Sequence, residues 1–224
     1  MTFNILILII IITGLVSYKA FNDRAFMDRL LFVPYLVKSD KNYYRFFSHM
    51  FIHANWMHLG FNMMSLYFLG DMLLNQEGGA WQTTNGDISI LDNGLLFHYG
   101  PIMGTIHFAL IYFLGGLFAT TISFIRHQGD SSYRSLGASG AVSAVIFAGI
   151  LWNPDMSLGI MFIPIPIKAY IFGPLYLIAE YVMSKRGGTG IAHDAHIGGA
   201  IFGVIYVLII NIDKGSSFLN YFAY

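Results

Sequence analysis

Six apolar stretches, most of them separated by polar loops, decide what this chain can fold into. They run roughly over residues 3–20, 55–74, 104–125, 139–153, 167–184 and 193–211. Of 224 residues, 56% are hydrophobic and 11% charged, against about 25% charged in ordinary soluble domains. A bilayer core takes about 20 apolar residues per helix, so this length accommodates six spans with short connections. Lipid offers a bare backbone no hydrogen-bonding partner, and a helix satisfies its own N–H and C=O groups. The expected fold is all-α: a polytopic membrane protein, one domain over 1–224, built as a six-helix transmembrane bundle in the lipid bilayer.

Composition removes other classes. Net charge is zero and no Lys/Arg cluster occurs, so nucleic acid is not an expected partner. The chain has no cysteine, which excludes disulfides and thiolate zinc sites. No cofactor is expected. The first stretch, Phe3–Val16, lacks the basic flank and small-residue cleavage site of a signal peptide, so it reads as a retained helix.

Residues 21–54 mix Arg24, Arg29, Lys38, Lys41 and Arg45 with Phe, Tyr and Leu, which suits a segment at the membrane interface. Residues 75–103 read as a polar loop with turn dipeptides at Gly78-Gly79, Asn85-Gly86 and Asn93-Gly94. Pro154, Pro164 and Pro166 bracket an apolar connection, and Ser184–Gly190 reads as a Gly-rich basic loop. Loops 21–54, 126–138 and 185–192, with Lys19, hold ten of the twelve Lys and Arg residues. Taken literally, the positive-inside rule puts those loops in the cytoplasm and both termini outside.

Polar groups inside spans are costly, which makes them functional candidates. They are His58, Asn62, His107, Ser139, Ser143, Glu180, His193 and His196. His58 and Asn62, four apart, share one helix face. Both donate hydrogen bonds without carrying charge, so they suit a socket for developing negative charge. On spacing alone they suit interhelical glue equally well. Ser139 opens the fourth stretch, where first-turn N–H groups lack partners and favour anions. By itself that position suits an N-cap better than a nucleophile.

His196 supplies the base that a serine nucleophile needs. Gly140, Ala144 and Ala148 form one small-residue stripe, and Ala195, Gly199 and Gly203 form another. Such stripes let helix backbones approach closely, and packing them brings Ser139 and His196 to one depth. Asp194 falls roughly opposite His196 on its helix, so no third member is apparent and the pair reads as a dyad. Ser143, one turn below Ser139, is a supporting candidate. Glu180 and His107 have no evident partner and read as structural or interfacial. His49, His53, His58, His193 and His196 raise a metal reading, but H-E-x-x-H is absent and no carboxylate has ligand spacing with them, so no metal is expected.

These residues resemble the rhomboid intramembrane serine proteases. The G-x-S-G motif appears as Gly137-Ala138-Ser139-Gly140. The A-H-x-x-G-x-x-x-G motif runs from Ala195-His196 to Gly199 and Gly203. The H-x-x-x-x-H-x-x-x-N pattern appears as His53, His58 and Asn62. All three follow the family's order, and the likeness covers about residues 1–211.

The resemblance implies Ser139 as nucleophile and His196 as base, then acid. It implies an oxyanion hole of His58, Asn62 and the Ser139 N–H, with His53 and Ser143 in support. Tyr44-Arg45 resembles an aromatic-Arg element of the family's first loop, and residues 185–192 correspond to the cap over the site. Expected partners are single-span membrane proteins, cut within or near their membrane segment. Many relatives stack an aromatic ring on the histidine from four positions after the nucleophile. Here that position is Ser143, so support for the ring must come from elsewhere.

The 75–103 loop is longer than in compact relatives, and no N-terminal domain is expected. The likeness to the bacterial six-span type implies a bacterial inner membrane and cytoplasmic termini, against the Lys/Arg count. The rival function is a catalytically inactive relative that binds membrane helices for trafficking or quality control. It need not keep Ser139, His196, His58 and Asn62 together. A small transporter would not explain why polar groups cluster at span starts.

Overall fold

The structure is a computed structural model describing residues 4–82, 88–91, 93–160, 163–186 and 191–223. It is a polytopic helical bundle. The long helices are α1 (Ile5–Asn22), α5 (Trp56–Asn75), α6 (Leu95–His127), α7 (Ser139–Trp152), α8 (Ala169–Arg186) and α9 (His193–Ile210). Between α1 and α5 lie three short helices, α2 (Arg24–Leu30), α3 (Pro34–Asp40) and α4 (Arg45–Ser48), and one 3₁₀ turn, His49–Phe51. An amphipathic helix, α10 (Asp213–Asn220), follows α9.

Two small antiparallel hairpins depart from the all-helical expectation. One pairs β1 (Gly79–Gln82) with β2 (Ile88–Leu91), and the other pairs β3 (Ser157–Ile160) with β4 (Ile163–Lys168). Both lie in connections, so the bundle keeps its class. Of the turn dipeptides expected in residues 75–103, Asn85-Gly86 lies outside the described residues.

Among the described residues, α1, α6 and α9 are long and apolar enough to cross a bilayer. The α5 and α8 helices carry more polar groups, including His58 and Asn62 on α5 and Glu180 on α8. Ile102 and Ile209 are both 76% exposed on the outer surface, and exposure of this kind needs lipid to cover it. The α6 helix starts earlier than the apolar stretch at 104, because a kink at Gly100-Pro101 joins a preceding helical turn to it. Gly100 has φ +81°, a conformation glycine adopts without strain.

The centre of the bundle is α7. Every residue of it except Ser139 and Ile146 is buried. At about 1.5 Å per residue, its 14 residues fall short of the bilayer core. It is therefore enclosed by longer neighbours, with a core that includes Leu66, Phe108, Tyr112, Ala144, Trp152 and Val207. Apolar surface is not a driving force between helices in lipid, so close packing must supply it. A Cβ on Gly199 would collide with the Gly140 carbonyl, and one on Gly203 with the Ala144 carbonyl. A Cβ on Gly115 would meet the methyl of Ala144. The stripes on α7 and α9 thus lie backbone to backbone, with α6 closing the third side. At the far end, Lys214 donates to the Trp152 carbonyl at 3.0 Å and supplies a partner for the end of α7.

Candidate active site

The segment entering α7 is held at three points by the first loop. Phe32 and Ser135 form a bridge between the first loop and the α6–α7 connection. The Gly137 N–H donates to the His49 carbonyl at 3.0 Å. The Ala138 N–H donates to His53 Nε2 at 3.3 Å. Ser17 Oγ donates to the Phe51 carbonyl at 2.9 Å, so its contact with His53 Nδ1 at 3.0 Å is one it accepts. His53 is therefore neutral, with its proton on Nδ1. Burial holds its pKa down to about 3, with His58 and His49 adding to the effect. Arg45 is buried and donates to the Asp28 carbonyl at 3.0 Å and to the Leu31 carbonyl, pinning the first loop that carries these groups.

Ser139 is the first residue of α7 and not its cap. The N-cap is Ala138, and no side chain caps the helix. The hydroxyl is thus not spent on its own helix, and the first-turn N–H groups around it lack intrahelical partners. Gly137 has φ +112°, and a Cβ there would lie 2.7 Å from His58 Cε1 and 2.9 Å from its Nε2. Only glycine lets the His58 imidazole come this close to the turn.

Ser139, His58 and His196 line one cavity of about 810 Å³, with Arg126, His127 and Asp194 on its polar side. The Ala54 N–H points to His58 Nδ1 at 3.4 Å, which leaves the proton on Nε2, the nitrogen nearer Gly137. Asn62 is buried and donates from Nδ2 to the His58 carbonyl at 2.9 Å. An amide carries two such hydrogens, so one remains. Gly140 packs 3.4 Å, measured to a Cβ built on it, from the Ala195 carbonyl, beside His196.

Sequence reasoning missed the carboxylate. Glu180, 5% exposed, contacts His196 Nδ1 through Oε1 at 3.1 Å and His193 Nδ1 through Oε2 at 2.6 Å. The absence of a third member beside the Ser–His pair is therefore corrected in part: an acid does reach His196, from another helix. The cue was present, because a lone acid within an apolar span is expensive. Its partner was not legible, since no spacing rule relates α8 to α9. Asp194 lines the same cavity but pairs with His127 Nε2, at 3.2 Å. His107 contacts the Tyr206 hydroxyl at 2.9 Å and bridges α6 to α9.

Ser143 is buried on α7, and Tyr176, one turn before Glu180 on α8, shares a helix face with that carboxylate. Among the described residues, Glu180, His193 and His196 also form the one group with metal-ligand reach, their donor atoms lying within 4.8 Å of one another. Of the residues corresponding to a cap, 187–190 lie outside the described part.

The chain belongs to the rhomboid family: the Rhomboid domain model matches residues 40–84 and 97–212. It is 33% identical over 164 residues to an uncharacterized mitochondrial rhomboid protein of Schizosaccharomyces pombe, covering 69% of this chain and 40% of that one. It is 26% identical over 194 residues to the mitochondrial RHOMBOID-like protein 12 of Arabidopsis thaliana, covering 85% and 53%. The human mitochondrial presenilin-associated rhomboid-like protein is 30% identical over 112 residues, covering 47% and 28%. The chain thus spans about half or less of the length of these relatives. All three are eukaryotic and mitochondrial, so the expectation of a bacterial protein in a bacterial inner membrane is not borne out by these relatives. What stands is an integral, multi-pass membrane protein.

Proposed function

We propose that this chain is an intramembrane serine endopeptidase acting on single-span membrane proteins. The observation that carries the reading is that Ser139, whose hydroxyl does not cap its helix, opens on the same cavity as His196 and His58. In the reaction, His196 Nε2 takes the Ser139 proton as Oγ bonds to the scissile carbonyl carbon. The carbonyl π pair moves to oxygen. That oxyanion accepts from His58 Nε2–H, the remaining Asn62 N–H and the Ser139 backbone N–H. Donors aimed at developing charge contribute about 3–4 kcal/mol each in comparable sites. Collapse breaks the C–N bond, and His196 returns its proton to the leaving amine. Water then repeats the sequence on the acyl-enzyme.

A helical substrate hides its carbonyls in its own hydrogen bonds. It must unwind locally, so cleavage should favour segments with Gly or Pro near the cut. The direct test reconstitutes the protein with a single-span substrate. Ser139→Ala should abolish both cleavage and labelling by a fluorophosphonate, and cleavage that survives would sink the reading. His58→Ala and Asn62→Ala should lower kcat by about 10²- to 10³-fold each and largely spare KM. An inactive helix-binding relative would cleave nothing in any of these forms.

A further inference from the structure

We infer that Glu180 is a positioning residue that completes a Ser139–His196–Glu180 triad, with His193 holding the carboxylate in place. The inference rests on the serine-protease reading above and adds a member to its machinery. Two observations carry it.

The first is tautomer selection. A buried carboxylate is costly unless its oxygens are hydrogen-bonded. Glu180 meets this with a neighbour on each oxygen: His193 Nδ1 at 2.6 Å and His196 Nδ1 at 3.1 Å. An ionised carboxylate only accepts, so both imidazoles carry their protons on Nδ1. That leaves the lone pair of His196 on Nε2, the form a general base requires. The opposite tautomer would present an N–H to Ser139 and could not take its proton.

The second is orientation. Glu180 uses one oxygen for each imidazole, so the shorter contact to His193 fixes the rotation of the carboxylate. Oε1 is thereby aimed at His196. When His196 takes the Ser139 proton, the imidazolium faces a full negative charge across an existing hydrogen bond. No proton passes to Glu180; the gain is electrostatic and geometric, as in other serine triads.

The test uses the reconstituted protein and a single-span substrate, with active sites counted by fluorophosphonate labelling. Glu180→Gln should lower kcat per labelled site by about 10²- to 10⁴-fold with KM within about twofold. Its amide has one acceptor and one donor where two N–H groups point, so one imidazole must change tautomer. Glu180→Asp restores the charge and should recover at least about tenfold over Gln. His193→Gln should cost less than Glu180→Gln, because Oε1 still meets His196.

A role confined to stability would instead lower the melting temperature and the number of labelled sites, leaving kcat per site unchanged. That result overturns the proposal, as does a Glu180→Gln enzyme within threefold of wild type. Loss of wild-type activity on exhaustive chelation would also overturn it, assigning the three donors to a metal. A further readout does not depend on proteolysis. The downfield Nδ1–H proton resonance of His196 should vanish in Glu180→Gln and persist in Ser139→Ala. Cleavage that survives Ser139→Ala would therefore sink the protease reading while leaving the Glu180–His196 bond to be judged by its resonance.

Discussion

At the residue scale, Gly137 is constrained twice over beside the proposed reacting groups. Its φ of +112° strains any L side chain, and the His58 ring occupies the space a Cβ would need. Gly137→Ala should destabilise the protein by about 1–3 kcal/mol. Because it displaces His58, kcat should fall further than the loss of folded protein accounts for. Thermal unfolding and kcat per labelled site separate the two effects. Equal losses would mean the glycine serves only the turn. Ser139, His196 and His58 were legible in the chain because each sits at a fixed short distance from a glycine or a second polar group. Glu180 was not, since its meaning depends on a histidine 16 positions away on a different helix.

At the element scale, the question is why α7 and α9 meet at all. Lipid is as apolar as the side chains, so these helices need close backbone approach and not merely hydrophobic character. The Gly199 and Gly203 contacts with the Gly140 and Ala144 carbonyls provide it. Gly199→Leu should push α9 off α7, lower the melting temperature in detergent and abolish fluorophosphonate labelling. An exposed enlargement, Ile209→Phe, should leave both unaltered. The stripes were readable in the sequence as repeats of small residues. That α6 completes the enclosure through Gly115 and Gly116 was not, because two adjacent glycines carry no period. Of the short helices between α1 and α5, α2 likewise follows a local cap, Asp23 accepting from the Phe26 N–H, within a stretch that composition alone marks only as interfacial.

At the scale of the whole molecule, the first loop and the active-site turn form one buried polar seam through His49 and His53. Burial lowers the His49 pKa to about 4 and that of His53 to about 3. An unfolded chain binds protons at histidine below about pH 6.5, whereas the native seam does not until far lower. The unfolded state therefore takes up more protons across that interval, and stability must fall as pH drops from about 6.5 toward 4, with little change above 7. Melting temperatures at stepped pH should show this decline, and it should be shallower in His53→Gln. A flat profile would mean that these histidines are not neutral in the native protein.

What the sequence determined by itself was the solvent and the class. Too few charges and six apolar stretches leave a helical membrane bundle as the fold, and three short motifs carry the likeness to rhomboid proteases. Those features are local, and local spacing reports faithfully on one helix face. What only the tertiary structure decided was which polar groups meet. It freed Ser139 from capping, turned one Asn62 hydrogen back onto its own helix, and brought Glu180 to His196. The physical reason is that a buried charge finds partners by packing between helices, and packing between helices has no period in the chain.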